Sequence, residues 1–320
     1  MAHYDVFNGD ADGICALQQL RLATPITSQL ITGVKRDIQL LRQVTVTQDD
    51  TVTVLDISLD KNRDDVLRII ESGARIEYFD HHYAGDLPEH AALTTHIDTS
   101  ANTCTSMLVN QFLQGKYVNW AIAGAYGDNL YDSADLMADD QGLSKAQREL
   151  LKELGTYLNY NGYGASLDDL YFTPDVLYKK VSPYADPFDF IAKDEAFLTL
   201  KNGYASDMEN IRSAKAELET ATHALLVLPD AAWARRVSGV YANELARSAP
   251  DRAHALLNEM ADGTYRISVR APLNNKTGAD ELCRAFPTGG GRQAAAGINE
   301  LPKDQYDNFR KKFSEAFLSA

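Results

Sequence analysis

The stretch Phe79-Asp80-His81-His82-Tyr83 sets two imidazoles directly after a carboxylate, a dense group of ligands for a divalent cation. It follows a strand-like run, Ala74 to Phe79, in which Ile76, Tyr78 and Phe79 are the residues to bury. Alone, the triplet fits an ordinary surface loop equally well. Its weight comes from acidic residues at the ends of other predicted elements. Asp10 and Asp12 lie in the glycine-flanked turn Asn8-Gly9-Asp10-Ala11-Asp12-Gly13, Asp56 closes the β-branched run Thr51 to Leu55, and Asp128 follows the small-residue stretch Ala121 to Ala125. Carboxylates favour hard ions and imidazole suits borderline ones, so the set points to Mn²⁺ first, with Mg²⁺, Co²⁺ and Zn²⁺ also compatible. Two metals about 3.5–4 Å apart need several carboxylates, one of them bridging, with imidazoles in the remaining positions. Such a centre serves hydrolysis at phosphorus, by lowering the pKa of a bound water and stabilising charge on phosphate oxygens.

These residues need a scaffold that brings them to one place. Tyr4 to Phe7 reads as a strand, and a helix follows with Ile14, Leu17 and Leu20 at helical spacing. Ser28 to Val34 reads as a buried strand, Asp37 to Leu41 as helical, and Thr51 to Leu55 as a strand. A helix over Asn62 to Ser72 is closed by Gly73, a further strand covers Thr94 to Asp98, and a helix covers Thr103 to Leu113. This alternation predicts an α/β fold with a doubly wound, mainly parallel sheet, whose ligands bind beyond the carboxyl ends of the strands. Three strands that end on carboxylates would then converge at one edge. The bland alternative for Asp12 is a helix N-cap, and for Asp128 an exposed end of a tightly packed helix.

The remainder divides into a helical connector over 206–223 and a smaller α/β domain over 224–320, after a first domain over 1–205. Tyr157, Tyr160 and Tyr163 recur every three residues, which suits a half-buried helix face or a homodimer contact better than a base-stacking stripe. In the second domain Ala224 to Leu228, Ala253 to Met260 and Tyr265 to Val269 read as strands, with a helix from about Val240 to Arg247. The run Gly289-Gly290-Gly291-Arg292 lets the backbone lie against an anion, and Ala294 to Ala296 is expected to open a helix that adds to that preference. Phe309, Phe313 and Phe317 mark the inward face of an amphipathic last helix.

Composition narrows the partners. The 320 residues carry 31 basic and 45 acidic side chains, a net charge of −14. That balance argues against a protein that coats long duplex DNA by neutralising phosphates, and it suits a carboxylate-rich cation site. Apolar runs fall short of a membrane span, and the N-terminus has no basic-then-apolar signal region. Three widely spaced cysteines, Cys15, Cys104 and Cys283, imply a reduced, cytoplasmic protein without a disulfide framework.

The order Asp10-x-Asp12-Gly13, Asp56 at a strand end, Asp80-His81-His82 and Gly127-Asp128-Asn129 resembles the four motifs of the DHH phosphoesterase superfamily. That superfamily includes RecJ-type exonucleases, the nanoRNase/pAp-phosphatase group, cyclic-dinucleotide phosphodiesterases and family II pyrophosphatases. The resemblance implies Asp10, Asp12, Asp56, His81 and Asp128 as metal ligands, with Asp56 the bridge. It implies Asp80 as the group that orients a histidine, and His82 as a contact to substrate phosphate or an aid to proton transfer. Many members have a metal-binding His four residues before the first Asp. Here that position is Val6, so one ion or two is left open. Asn8 could compensate through its amide oxygen; His3 is too far along the strand to do so. The glycine run resembles the accompanying DHHA1 domain, where a His usually stands at the place of Arg292. Arg is always charged and binds phosphate bidentately, so phosphate recognition is expected to be kept, with Arg270 as the second phosphate ligand.

The expected activity is metal-dependent hydrolysis of phosphodiester or phosphomonoester bonds in short oligonucleotides or nucleotides, in a cleft between the two domains. RecJ-like processing of single strands and cyclic-dinucleotide hydrolysis are the nearer alternatives. A non-catalytic nucleotide-binding protein on a partly decayed site is the alternative from another class, supported only by Val6.

Overall fold

The alternating strands and helices of the N-terminal part become one parallel sheet in the structure, a computed structural model that describes residues 1–318. Its strands are β1 (His3–Phe7), β2 (Gln29–Ile31), β3 (Thr51–Leu55), β4 (Arg75–Asp80) and β5 (Leu93–Ile97). They lie in the order β2-β1-β3-β4-β5, all parallel. Parallel neighbours need crossovers; α1 (Ala11–Ala23) and α2 (Leu59–Glu71) make two of them, and α3 (Thr105–Phe112) follows the last strand. One face of the sheet buries Tyr4, Val6, Val52, Val54, Ile76 and Tyr78 against Leu59, Val66, Ile69 and Ile70 of α2. On α1 every residue from Ala11 to Leu20 is buried, so this helix is enclosed rather than amphipathic.

Around α1 pack α4 (Val118–Gly127) and α6 (Lys145–Gly162), with α5 (Tyr131–Asp140) between them in sequence. Tyr157 and Tyr160 of α6 are buried, which places them in the core and not in a base-stacking stripe. The chain continues through α7 (Pro174–Val181), α8 (Pro187–Lys193) and α9 (Glu195–Arg212). Two compact units result, Met1–Gly203 and a second from Tyr204 onward, so their boundary falls within α9.

In the second unit a mixed sheet has the order β10-β11-β9-β8-β7-β6. Its strands are β6 (Leu218–Glu219), β7 (His223–Leu228), β8 (Ala253–Glu259), β9 (Thr264–Arg270), β10 (Gly289–Arg292) and β11 (Ala295–Pro302). The helices are α10 (Ala232–Ser248), α11 (Ala279–Arg284) and α12 (Tyr306–Ala316). Ala255, Val269, Ala296 and Ile298 share a core with Phe309, Phe313 and Phe317, the inward face expected of the last helix.

Four sequence expectations are corrected. The strand expected over Ser28 to Val34 shrinks to Gln29–Ile31, and the helix expected over Asp37 to Leu41 is a single 3₁₀ turn, Leu40–Gln43. The connector over 206–223 is helical only to Arg212; Arg212 pairs with Glu244 and Arg252 with Glu219. The helix expected from Ala294 is instead strand β11. There Ala296 and Ile298 alternate into the core, and a Cβ on Gly297 would stand 2.7 Å from the Ile267 carbonyl oxygen. Burial at period two overrides alanine's helical preference. The glycine run is accordingly an edge strand in a hairpin and has no helix N-terminus behind it.

Candidate metal centre

Because β2, β1, β3 and β4 are neighbours and parallel, whatever follows their carboxyl ends gathers at one edge. Asp10 and Asp12 follow β1, Asp56 follows β3, and Asp80, which ends β4, leads to His81 and His82. Lys35 follows β2.

Asp10 is the N-cap of α1: its Oδ1 accepts from the backbone N–H of Asp12 at 3.0 Å and of Gly13 at 3.1 Å. Asp12 does not cap its own helix. Its two oxygens accept from the N–H groups of Thr105 and Ser106, each at 2.7 Å, and so take the N-terminus of α3. The positive end of that helix offsets the buried charge. Asp56 adopts φ 61°, a left-handed conformation that costs a non-glycine residue energy and collects at functional sites. The Thr105 hydroxyl donates to its Oδ1 at 3.2 Å.

The two histidines are held differently. His81 Nδ1 lies 3.0 Å from the Thr103 carbonyl, which can only accept, so Nδ1 carries the proton and Nε2 presents a lone pair. That Nε2 stands 3.4 Å from Asp56 Oδ1, 3.8 Å from Asp128 Oδ2 and 4.0 Å from Asp12 Oδ2. His82 Nδ1 is 2.7 Å from Asp80 Oδ1, which leaves Nε2 free on a side chain 45% exposed. Asp128 caps the end of α4, which approaches α1 and α6 closely enough that a Cβ on Gly127 would lie 2.3 Å from Ala11 Cβ. The small residues ahead of Asp128 thus bring its carboxylate in.

Sequence reasoning missed Lys35, Asn159 and Thr105. The Lys35 ammonium is 2.5 Å from Asp10 Oδ2, 3.8 Å from Asp128 Oδ1 and 2.9 Å from Asn159 Oδ1. Its position after a strand of the same sheet was the one available signal. Val6 is fully buried in the apolar core, and His3 hydrogen-bonds Thr51, so neither reaches the cluster.

Crowding sets the electrostatics. Burial, then Asp12 and Asp10, push the Asp56 carboxyl well above the usual carboxylate range. Burial and Asp12 raise Asp128 to about 6, against the pull of Lys35. Burial would raise Asp10 too, but Lys35 outweighs it and holds Asp10 low. Burial opposes the charged form of His82, yet the hydrogen bond and field of Asp80 keep its pKa raised.

Ligand atoms of Asp56, His81 and His82 lie within 4.8 Å of one another, and so do those of Asp12, His81 and Asp128. Asp80 Oδ2 and Asn8 Oδ1 are buried and accept no hydrogen bond. Surplus negative charge, vacant acceptors and an oxygen–nitrogen donor set fit a divalent cation such as Mn²⁺.

In the second unit, Arg292 pairs with Ala295 and Ala295 with Arg270. The two arginines therefore share one rung and one face, opposite the phenylalanine core. Arg270 Nε donates to Asn243 Oδ1 at 2.7 Å, and Arg292 is exposed.

No protein-family model and no curated protein sequence matches the chain. Solved structures do. A crystal structure of exonuclease RecJ bound to manganese matches with TM-score 0.64 at 14% identity, over 98% of this chain and 90% of that chain. The fold is of the DHH/DHHA1 type. A structure of RecJ from Thermus thermophilus in complex with Mn²⁺ gives TM-score 0.62 at 15% identity, over 98% of this chain and 52% of that chain. The present chain thus spans about half of the Thermus protein. PggH, a pGpG-specific phosphodiesterase from Vibrio cholerae, matches with TM-score 0.58 at 14% identity, over 99% of each chain. The DHH/DHHA1 architecture accounts for both the parallel sheet and the mixed sheet. Among the described residues no helix is long and apolar enough to cross a membrane.

Proposed function

We infer that this chain is a divalent-metal-dependent phosphoesterase that hydrolyses phosphodiester or phosphomonoester bonds of short oligonucleotides or nucleotides. The observation that carries this reading is the convergence of Asp12, Asp56, His81 and Asp128 at one sheet edge, with the His81 lone pair fixed toward the carboxylates. Mn²⁺ is the preferred ion, held by these four residues. When bound, the ion supplies a water of lowered pKa and takes up charge on phosphate oxygens.

The chain's own groups do the rest. Thr103 fixes the His81 tautomer and Thr105 orients Asp56. Asp80 accepts from His82 Nδ1 and favours the imidazolium, whose Nε2–H can donate to a phosphate oxygen or protonate the leaving oxygen. In the second unit, Arg270, Arg292 and the glycine strand from Gly289 to Gly291 are the groups proposed to bind substrate phosphate. Net acidity supports a short substrate over a long nucleic-acid strand. Against a decayed site speaks the retained convergence of Asp12, Asp56, His81 and Asp128, with Val6 the one departure. Three free, buried cysteines support a place in the reducing cytoplasm.

The test is a matrix of Mn²⁺, Mg²⁺, Co²⁺ and Zn²⁺ against pAp, RNA and DNA dinucleotides, cyclic dinucleotides, longer single strands and pyrophosphate. Turnover of a dinucleotide or pAp with Mn²⁺ is expected. A protein inert across the whole matrix would sink the reading.

A further inference from the structure

The Lys35 ammonium stands inside the carboxylate cluster, at the end nearest Asp10. It is built in from both sides. The Lys35 backbone N–H donates to the Gly162 carbonyl at 2.8 Å, and its carbonyl accepts from Asn8 Nδ2 at 3.4 Å. The Asn159 side chain accepts from Nζ, and the Tyr163 ring centre is 5.5 Å away. The side chain is 22% exposed and that of Asp10 only 3%.

Asp10 is heavily engaged: one oxygen accepts from two backbone N–H groups, the other from Lys35, and its carboxylate also contacts that of Asp56. It belongs to neither group of converging ligand atoms, whereas Asp12, Asp56, His81, His82 and Asp128 all do. Asp56 and Asp128 also reach that end, but the strand position at which a further ligand could stand is Val6, buried in hydrocarbon. A dication placed between Asp10 and Asp128 would also lie beside the ammonium, and like charges at that range repel strongly.

We propose that Lys35 is itself the second cation of this centre, so that the chain binds one divalent ion, on Asp12, Asp56, His81 and Asp128. Lys35 neutralises Asp10 and the near oxygen of Asp128, the work a second metal would otherwise do. This rests on the metal-dependent reading above.

The experiment counts ions rather than turnover. Mn²⁺ bound per chain is measured by calorimetric titration and by elemental analysis after desalting, and electron paramagnetic resonance reports whether bound Mn²⁺ ions are coupled. The native chain should hold one uncoupled ion. Lys35→Met should gain a second, with an exchange-coupled spectrum, and Lys35→Arg should stay at one. Asp10→Asn should still hold one ion per chain, at an affinity lowered by the uncompensated Lys35 charge beside Asp128. Two coupled ions in the native chain, or a folded Lys35→Met still limited to one, would overturn the proposal. Should Lys35→Met not fold, the native count and Asp10→Asn decide it: loss of the ion in Asp10→Asn makes Asp10 a ligand and refutes the assignment. A native chain that binds no Mn²⁺ refutes the metal-dependent reading as well, which separates the two failures.

Discussion

Arg292 on the edge strand and Arg270 two strands away share a rung of the second sheet, with the Ala295 methyl group between them. Two strand spacings put their Cα atoms about 10 Å apart. Paired residues on neighbouring strands point to the same face, so both guanidinium groups rise from one side over a small side chain. An anion set over Ala295 would meet cationic donors from two directions.

Arg292→Ala should therefore raise KM for the substrate by about 10- to 100-fold, the loss of one charge-assisted hydrogen bond or a bidentate pair. kcat should change little, and Mn²⁺ bound per chain not at all. Steady-state kinetics with metal analysis checks this. Loss of bound metal in the variant would contradict the division of roles.

At Asp56 function and stability should separate. Asp56→Ala should abolish Mn²⁺-dependent hydrolysis in a folded protein. Asp56→Gly should be equally inactive, yet more stable than the metal-free native chain by about 1 kcal/mol, because glycine tolerates left-handed φ. Urea midpoints measured without metal decide it; equal midpoints for the glycine variant and the native chain would mean that the conformation carries no strain.

The metal-free centre should weaken the fold as pH rises. Asp128 titrates near 6 when folded against 3.8 ordinarily, and Asp56 is shifted in the same direction. Stability from carboxyls raised in this way is present below the ordinary value and lost as pH climbs through the folded one. Bound Mn²⁺ stabilises the ionised forms, so the rise in Tm it causes should grow from about pH 4.5 to 7. Melting curves with and without Mn²⁺ measure this. A Tm difference independent of pH would contradict it.

His254 should act in the opposite sense in the second unit. Burial, then the field of Arg252, holds its pKa down at about 4 against an ordinary 6.5. The folded chain keeps it neutral while the unfolded chain protonates, so stability is complete above pH 6.5 and falls as pH drops toward 4. His254→Gln should flatten that part of the urea-midpoint profile; an unchanged acid limb would assign the sensitivity elsewhere.

Much of the first unit was legible because its strands obey simple patterns. β-branched runs end on Asp56 and Asp80, and the turn around Asp10 announces its helix. The sheet order that makes β1, β3 and β4 neighbours turned separate carboxylates into a cluster. Lys35 was not legible: a lone lysine in a loop looks solvated, and only α6, more than a hundred residues later, encloses it. Nor was the tautomer of His81, which depends on a backbone carbonyl. The glycine run misled because Ala-Ala-Ala suggests a helix start, while the pull of the phenylalanine core on Ala296 and Ile298 is not local.

The grip of Asp12 on two backbone N–H groups has a consequence for anyone dissecting the centre by substitution. Asparagine, the customary isosteric control, offers one accepting oxygen and turns an NH₂ toward the second N–H. That mismatch costs about 1–3 kcal/mol where water cannot enter, and it would loosen the start of α3 and with it Thr105 beside Asp56. Asp12 is thus both an anchor of α3 and a proposed ligand, and any replacement disturbs both at once. Asp128, the C-cap of α4, takes no backbone N–H of another helix and contacts Lys35 and His81 only at 3.8 Å, so ligand loss there is less entangled with the fold.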